Sequence, residues 1–180
     1  MSNKRTATVS LITVICGVYL LQLLSGSVID QLSLQPIGYL QQSGQWYRLL
    51  TVALVHDQSS TLPLHLAFNM LALYQLGNQI EYLMGRQKFL AIFFFSLLTG
   101  SLFSAYLLQG ASVGASGAIF GLFGALAVVG KKIGADISGV IGVVIINFLI
   151  GFTIPNVDWH AHLGGLVGGA LISSFLLKRR

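Results

Sequence analysis

The sequence predicts an all-α membrane protein, a bundle of six transmembrane helices. Hydrophobic residues make up 54% of the 180 positions and charged residues only 8%, whereas a soluble domain carries roughly a quarter charged residues. Long apolar runs recur along the chain, and no stretch of about ten residues alternates as a membrane barrel strand does. With so little polar surface, the hydrophobic residues must face lipid, where helices satisfy their own backbone hydrogen bonds.

The apolar runs predict where the helices lie. A bilayer core requires roughly 20 apolar residues per helix, with a range of ~17–25. Six runs meet or approach that length: about 9–26, 64–84, 88–109, 116–130, 137–154 and 160–177. The fourth run is short, and its glycines suit a helix surrounded by other helices. Residues 27–63 form an outer segment of mixed polarity in which we expect short interfacial helices. No linker or repeat divides the chain, which predicts a single domain over 1–180.

The basic residues predict the orientation of these spans. Nine of the ten Lys and Arg residues lie in the two terminal segments or in the loops on the same side, and Arg48 is the exception. The positive-inside rule assigns that side to the cytoplasm. We therefore predict a multi-pass protein of the cell membrane with both termini cytoplasmic. The first run is longer than the core of a secretory signal, so we interpret it as a span and not as a cleaved leader.

Membrane lipid is the first partner that this charge pattern predicts. The net charge of +5 is divided among short groups between apolar runs, which argues against a nucleic-acid partner. The basic residues that follow the last span, Lys178, Arg179 and Arg180, are expected to anchor it at the inner leaflet and to contact anionic lipid.

Four polar residues lie near the outer ends of three predicted spans. Spans two, four and six all begin at the outer face, and His65, Asn69, Ser116 and His162 follow these starts closely. At a rise of ~1.5 Å per residue, they share one shallow layer of the membrane. Because polar residues are costly inside a membrane, this layer is predicted to be a functional site that opens to the extracytoplasmic side.

The residue types in this layer suit acyl transfer. A serine becomes a nucleophile when a histidine accepts its proton, so Ser116 and His162 are the candidate catalytic pair. His65 and Asn69 are four residues apart and project from one helix face. Both can donate hydrogen bonds to an oxyanion, as can the Ser116 amide at a helix start. Asp158 lies four residues before His162 and could orient it, but we favour a dyad over a triad.

Glycines surround the candidate serine and recur along two spans. Gly114 and Gly117 flank Ser116 and its neighbour Ala115, which leaves room for a substrate backbone to approach. Pairs with a spacing of four occur on spans four and six: Gly117 and Gly121, Gly165 and Gly169, and Gly164 and Gly168. Such pairs let helices touch backbone to backbone in lipid, and this packing is predicted to bring Ser116 and His162 together.

Three motifs together resemble the signatures of rhomboid intramembrane proteases: Gly114-Ala115-Ser116-Gly117, Ala161-His162-Leu163-Gly164-Gly165 and His65-x-x-x-Asn69. Trp46-Tyr47-Arg48 is similar to the tryptophan–arginine motif of that family's first outer loop. Glu81 followed by Gly85-Arg86 is similar to an element at the inner end of its second span. The resemblance covers about 9–177 and depends on the order of the motifs and their shared depth.

The resemblance implies a role for each residue of the site. Ser116 would be the nucleophile and His162 the general base and then the general acid. His65, Asn69 and the Ser116 amide would hold the oxyanion. Phe120 stands where many relatives carry a tyrosine that stacks on the catalytic histidine. The resemblance therefore implies that the Phe120 ring stacks on His162, without the hydrogen bond that a tyrosine hydroxyl could make.

The resemblance also implies a substrate class. Substrates in the family are single-span transmembrane proteins, cleaved near the outer face after a small residue. Span five, with Phe148 and Phe152, resembles the family's proposed lateral gate. No metal or organic cofactor is expected.

Three other functions fit the pattern less well. A catalytically silent relative that binds transmembrane clients has no need of Ser116 and His162. A channel or transporter would continue its polar residues to the inner face, whereas here the strong polar groups stop in the outer half. A zinc site among the four histidines is disfavoured because His160 and His162 are only two apart, and no His-Glu-x-x-His pattern occurs.

Overall fold

The computed structural model describes residues 6–59, 62–153 and 157–178, and over these residues the fold is all-α, as predicted. In chain order the helices are α1 (Ala7–Leu24), α2 (Ser27–Leu32), α3 (Ile37–Ser43), α4 (Arg48–Thr51), α5 (Leu64–Met84), α6 (Arg86–Leu107), α7 (Ser116–Lys132), α8 (Ser138–Thr153) and α9 (Trp159–Lys178). A 3₁₀ turn, Val52–Leu54, follows α4. Each of the six predicted runs coincides with one of the long helices. Residues 4, 5, 154, 179 and 180, used in the predictions above, lie outside the described residues.

Three of the described helices, α1, α6 and α9, are long and apolar enough to cross a membrane. α5 has 21 residues but carries polar side chains along much of its length. α7 has 17 residues and α8 has 16, at or just below the ~17 needed for a span. The helices therefore support a multi-pass membrane protein, while the count of six spans stays a prediction.

The centre of the bundle is built on α9, which packs chiefly on α7 and α6. Glycines permit this contact. A methyl group at Gly165 would collide with the Gly117 carbonyl, and one at Gly169 would collide with the Gly121 carbonyl. The backbones of α7 and α9 are therefore in direct contact, as the glycine spacing predicts. This contact fixes the starts of the two helices side by side.

The carboxylate of Glu81 joins the end of α5 to the start of α1. One oxygen accepts from the Ala7 amide at 2.9 Å, and the other accepts from the Thr8 amide at 3.0 Å and the Thr8 hydroxyl at 2.9 Å. These amides belong to the first turn of α1, where helical partners are lacking and a negative charge is favourable. The two helix ends therefore lie on one side of the bundle.

The segment between α1 and α5 is held together by the buried Arg48. Its Nη1 donates to the carbonyls of Asp30 at 2.9 Å and Ser33 at 2.6 Å, and its Nε donates to Gln45 Oε1 at 2.7 Å. A guanidinium can make several directed bonds at once, so it ties the α2 and α3 stretches to α4. This is the position of the Trp46-Tyr47-Arg48 motif.

The same segment supports the turn that precedes α7. Leu34 and Ser112 form an isolated antiparallel bridge, with amide-to-carbonyl distances of 2.9 and 3.0 Å. The Gly114 amide donates to the Val52 carbonyl at 2.9 Å. The stretch that leads into Ser116 is therefore held by backbone hydrogen bonds on one side.

Candidate active site

Ser116 and His162 lie within hydrogen-bond distance of each other. Ser116 is the first residue of α7, and His162 is the fourth residue of α9. The Ser116 hydroxyl oxygen is 2.9 Å from Nε2 of His162. His162 is buried and Ser116 is half-buried. A hydroxyl and an imidazole at this distance can exchange a proton, as general base catalysis requires.

The His162 ring is oriented by aromatic neighbours. The Phe120 ring stacks on it, with 4.1 Å between the ring centroids and 6° between the ring planes. Phe120 lies one turn after Ser116 on α7, so the same helix presents both the hydroxyl and the stacking ring. Phe148 of α8 meets Phe120 edge-on at 5.5 Å. The imidazole is thereby held against α7, and α8 touches the site through one ring.

His65 presents a hydrogen-bond donor beside the Ser116 turn. Its Nδ1 accepts from the Asp57 amide at 3.1 Å, so the neutral ring carries its proton on Nε2. Gly114 lies directly against this ring, and a Cβ there would be 3.0 Å from His65 Nε2. Gly114 also has φ of +114°, which disfavours any other residue. This glycine lets the imidazole approach the turn before Ser116.

Asn69 lies one turn after His65 on α5 and is buried. Its amide nitrogen donates to the His65 carbonyl at 2.8 Å, which leaves its second amide proton available. The Asn69 side-chain oxygen has no hydrogen-bond partner among the described residues. α5 packs against α7, and α7 packs against α9, so the four polar residues predicted to share a layer come from three helices that are joined through α7.

His56 is a buried neighbour of the site, although the sequence suggested only an interfacial or structural role for it. Its ring lies 5.2 Å from that of His65, and neither of its nitrogens bonds to a residue within the described ranges. Burial, followed by the neighbouring His65 imidazole, lowers the pKa of His56 from 6.5 to about 3. The ring is therefore neutral at physiological pH. Its backbone pairs with the Gln22 side chain at 2.6 and 3.1 Å.

Asp158 contacts the first turn of α9 and not the imidazole of His162. Its Oδ2 accepts from the hydroxyls of Ser104 on α6 at 2.5 Å and Ser112 at 2.7 Å, and its Oδ1 accepts from the Ala161 amide at 3.1 Å. Nδ1 of His162 has no hydrogen-bond partner in the described part of the chain. Asp158 thus joins α6, the strand-like stretch before Ser116 and α9. No pattern in the sequence predicts that Ser104 or Ser112 donates a hydrogen bond to this carboxylate.

A small cavity of about 10 Å³ adjoins Ser116. Ser101 and Ser112 are among its lining residues, and its volume is at the lower end of the ~10–15 Å³ that one water molecule needs. It is far too small for a peptide segment, so a substrate needs neighbouring elements to move. α8 is loosely packed: Gly151 is the one buried residue in its described span.

Comparison with known proteins is consistent with these motifs. The family model described as the Rhomboid domain matches residues 43–179. The chain is 40% identical over 141 residues to rhomboid protease GluP of Bacillus subtilis, a match that covers 74% of this chain and 26% of that protein. It is 33% identical over 162 residues to RHOMBOID-like protein 5 of Arabidopsis thaliana, covering 82% of this chain and 50% of that protein. It is 28% identical over 203 residues to rhomboid protease AarA of Providencia stuartii, covering 92% of this chain and 70% of that protein. The chain thus spans about a quarter of GluP and half of RHOMBOID-like protein 5.

Proposed function

This chain belongs to the rhomboid family, and we propose that it is an intramembrane serine endopeptidase with Ser116 and His162 as a catalytic dyad. The observation that carries the proposal is the 2.9 Å separation between the Ser116 hydroxyl and His162 Nε2. Two relatives that bear the name rhomboid protease, GluP and AarA, support the same chemistry.

The proposed reaction follows from the protons on these groups. His162 Nε2 takes the Ser116 proton as the hydroxyl oxygen attacks the substrate carbonyl. Nε2–H of His65, the free amide proton of Asn69 and the Ser116 amide then donate to the oxyanion. As the peptide C–N bond breaks, His162 returns the proton to the leaving amine. Water, activated by the same imidazole, then hydrolyses the acyl-enzyme ester and restores the serine.

The proposed substrates are single-span membrane proteins, cut near the extracytoplasmic face. The site supports this because Ser116 and His162 both lie in the first turn of their helices, close to where water can arrive. The looseness of α8 supports lateral entry of a substrate helix beside Phe148. Under this proposal residues 1–180 act as one membrane domain, with both termini cytoplasmic.

Cleavage of a single-span reporter in proteoliposomes tests this function. We expect two fragments, and mass spectrometry should place the cut within about two turns of the membrane end that carries the Ser116 layer. The same recognition sequence in a soluble protein should not be cut, because a helix delivered from the bilayer is the proposed substrate. A chain that binds several such reporters, cuts none and resists a fluorophosphonate probe would instead be a silent client-binding relative.

Asp158 is expected to act as a positioning residue for this dyad. Asp158→Ala removes the acceptor for two hydroxyls and for an amide in the first turn of α9, so His162 is no longer held at one distance from Ser116. We expect kcat for reporter cleavage to fall by about 10–100-fold with KM changed less than about threefold, as when a distant contact shifts reacting groups by ~1 Å. Loss of the helix cap should also lower the free energy of unfolding by about 1–2 kcal/mol.

Asp136 provides the matched control for Asp158. Its carboxylate similarly accepts from the Ser138 amide at 2.8 Å and the Ser138 hydroxyl at 3.0 Å, but at the start of α8. Asp136→Ala should therefore leave kcat within about twofold of wild type. Equal losses of kcat in both variants, or a loss in Asp158→Ala that disappears once the folded fraction is corrected for, would contradict the positioning role.

A further inference from the structure

A groove lies between α7, α8 and α9, at the end of the bundle away from Ser116. Its volume is about 360 Å³, at the lower end of the ~300–1,000 Å³ typical of ligand pockets. Among the described residues that line it, all but one are apolar or glycine; they include Phe123, Val140, Val144 and Leu166. The exception is Lys131, in the last turn of α7. The groove is thus an apolar trough with a single cation at one end.

The groove is open because the first half of α8 stands away from the bundle. The second half of α8 meets the bundle where Phe148 contacts Phe120. In the first half, Ile141 and Ile145 line the groove, yet they are 47% and 53% exposed. Only an apolar occupant can fill this space without a desolvation cost.

Lys131 differs from Lys132 and Lys88 in having no partner among the residues that the structure describes. Lys132 donates to the Leu177 carbonyl at 2.8 Å, and Lys88 donates to the Leu176 carbonyl at 3.4 Å. Both ammonium groups therefore bind carbonyl oxygens at the C-terminal end of α9. Lys131 is exposed and makes no hydrogen bond or ion pair with any residue that the structure describes. Its charge is available to a ligand that enters the groove.

The acidic residue of the loop between α7 and α8 does not neutralise this lysine. Asp136 accepts from the amide and hydroxyl of Ser138 at the start of α8. These two bonds hold the pKa of Asp136 below its usual value. Its carboxylate is thus committed to its own helix start, and Lys131 remains the charge at the groove.

We propose that this groove binds one acyl chain of an anionic phospholipid, with the lipid phosphate paired to Lys131. An apolar trough that ends at one cation complements an amphiphile with an apolar tail and an anionic head. Basic pockets between transmembrane helices are a known way to hold such head groups. A whole helix is about 10–12 Å across with its side chains, so a second copy or a substrate helix would have to displace α8 to enter.

The bound acyl chain would pack between α8 and the rest of the bundle and so stabilise the position of α8. It would fill the space under the first half of this helix and so hold the second half, where Phe148 touches Phe120 and Phe120 stacks on His162. Lipid occupancy is thereby linked to the position of α8 beside the site. The inference rests on the membrane location of the chain and not on its proposed protease activity, so it is tested by binding and not by cleavage.

The test uses the full chain, purified and delipidated in a neutral detergent. Phosphatidylglycerol and phosphatidylcholine with identical acyl chains are added separately, with thermal unfolding and native mass spectrometry as readouts. We expect phosphatidylglycerol at about 100 times its Kd to raise Tm by roughly 5–10 °C, and phosphatidylcholine to raise it less than half as much. Lys131→Gln should reduce the phosphatidylglycerol shift to the phosphatidylcholine value. Lys88→Gln, which removes an equal charge outside the groove, should leave the preference intact.

A second pair of variants tests the acyl chain independently of charge. Ala127→Phe fills the groove wall and should remove the bound lipid seen by mass spectrometry, whereas Ala91→Phe on the exposed face of α6 should retain it. Val144→Phe serves the same purpose if Ala127→Phe does not fold. Equal Tm shifts from the two lipids in wild type, equal loss of preference in Lys131→Gln and Lys88→Gln, or lipid retained after the groove is filled would each overturn the proposal. Lipid-insensitive chain-to-chain crosslinking through Ile141→Cys, in a Cys16→Ser background, would show a second copy as the occupant and overturn it too.

Discussion

Ser116→Ala and His162→Ala are each expected to reduce cleavage of a single-span reporter by at least about 10³-fold, to the background of the assay. Ser116→Ala has no nucleophile. His162→Ala lacks the imidazole whose Nε2 lies 2.9 Å from the Ser116 hydroxyl oxygen and accepts the serine proton. Because the two residues act as one unit, the double variant should be no slower than either single variant. Proteoliposome cleavage at matched protein and lipid content measures the three rates.

His160→Ala is the matched control for the dyad variants. His160 lies in the same turn of α9 as His162, but its ring stacks on Trp159 with 3.8 Å between the centroids. This variant should retain cleavage within about threefold of wild type and should react with a fluorophosphonate probe, whereas Ser116→Ala should not. Cleavage that survives Ser116→Ala would refute the assignment of the nucleophile.

Gly169→Ala is expected to destabilise the fold more than any other single methyl addition away from the site. The new methyl group would meet the Gly121 carbonyl and Cα on α7, and a packed backbone cannot rotate aside as a side chain can. Overpacking typically lowers the free energy of unfolding by about 1–3 kcal/mol. Because the obstacle here is rigid, we expect a loss near the upper end of this range, which corresponds to a fall in Tm of roughly 6–12 °C. Thermal unfolding in detergent measures it.

Gly17→Ala provides the comparison for that variant. Gly17 is also inside a helix, but a Cβ there meets nothing within 4 Å. Since alanine is intrinsically favoured over glycine in a helix by about 1 kcal/mol, this variant should unfold at the same temperature as wild type or slightly higher. If Gly169→Ala is as stable as Gly17→Ala, the direct backbone contact between α7 and α9 is wrong.

The helices and their order could be predicted because their causes are local in the sequence. Apolar runs of about 20 residues require helical structure in a bilayer, and the observed bounds differ from the predicted ones by about two residues at the ends of α1 and α6. The glycine spacing on α7 and α9 also indicated their contact, since small residues four apart mark one face of each helix. The signal for a span is weaker in α5, which carries polar residues, and in α7 and α8, which are short.

The sequence by itself determined the class of protein and the order of its helices, and it predicted that Ser116, His162, His65 and Asn69 share one layer. The tertiary structure alone decided how each helix is rotated about its axis, and this rotation sets which side chains meet. It decided that Asp158 binds two serines and a helix amide in place of the His162 ring. It also decided that the Asp57 amide sets the tautomer of His65, and that half of α8 leaves a groove beside Lys131. These contacts join residues far apart in the chain, and no local pattern encodes such distances.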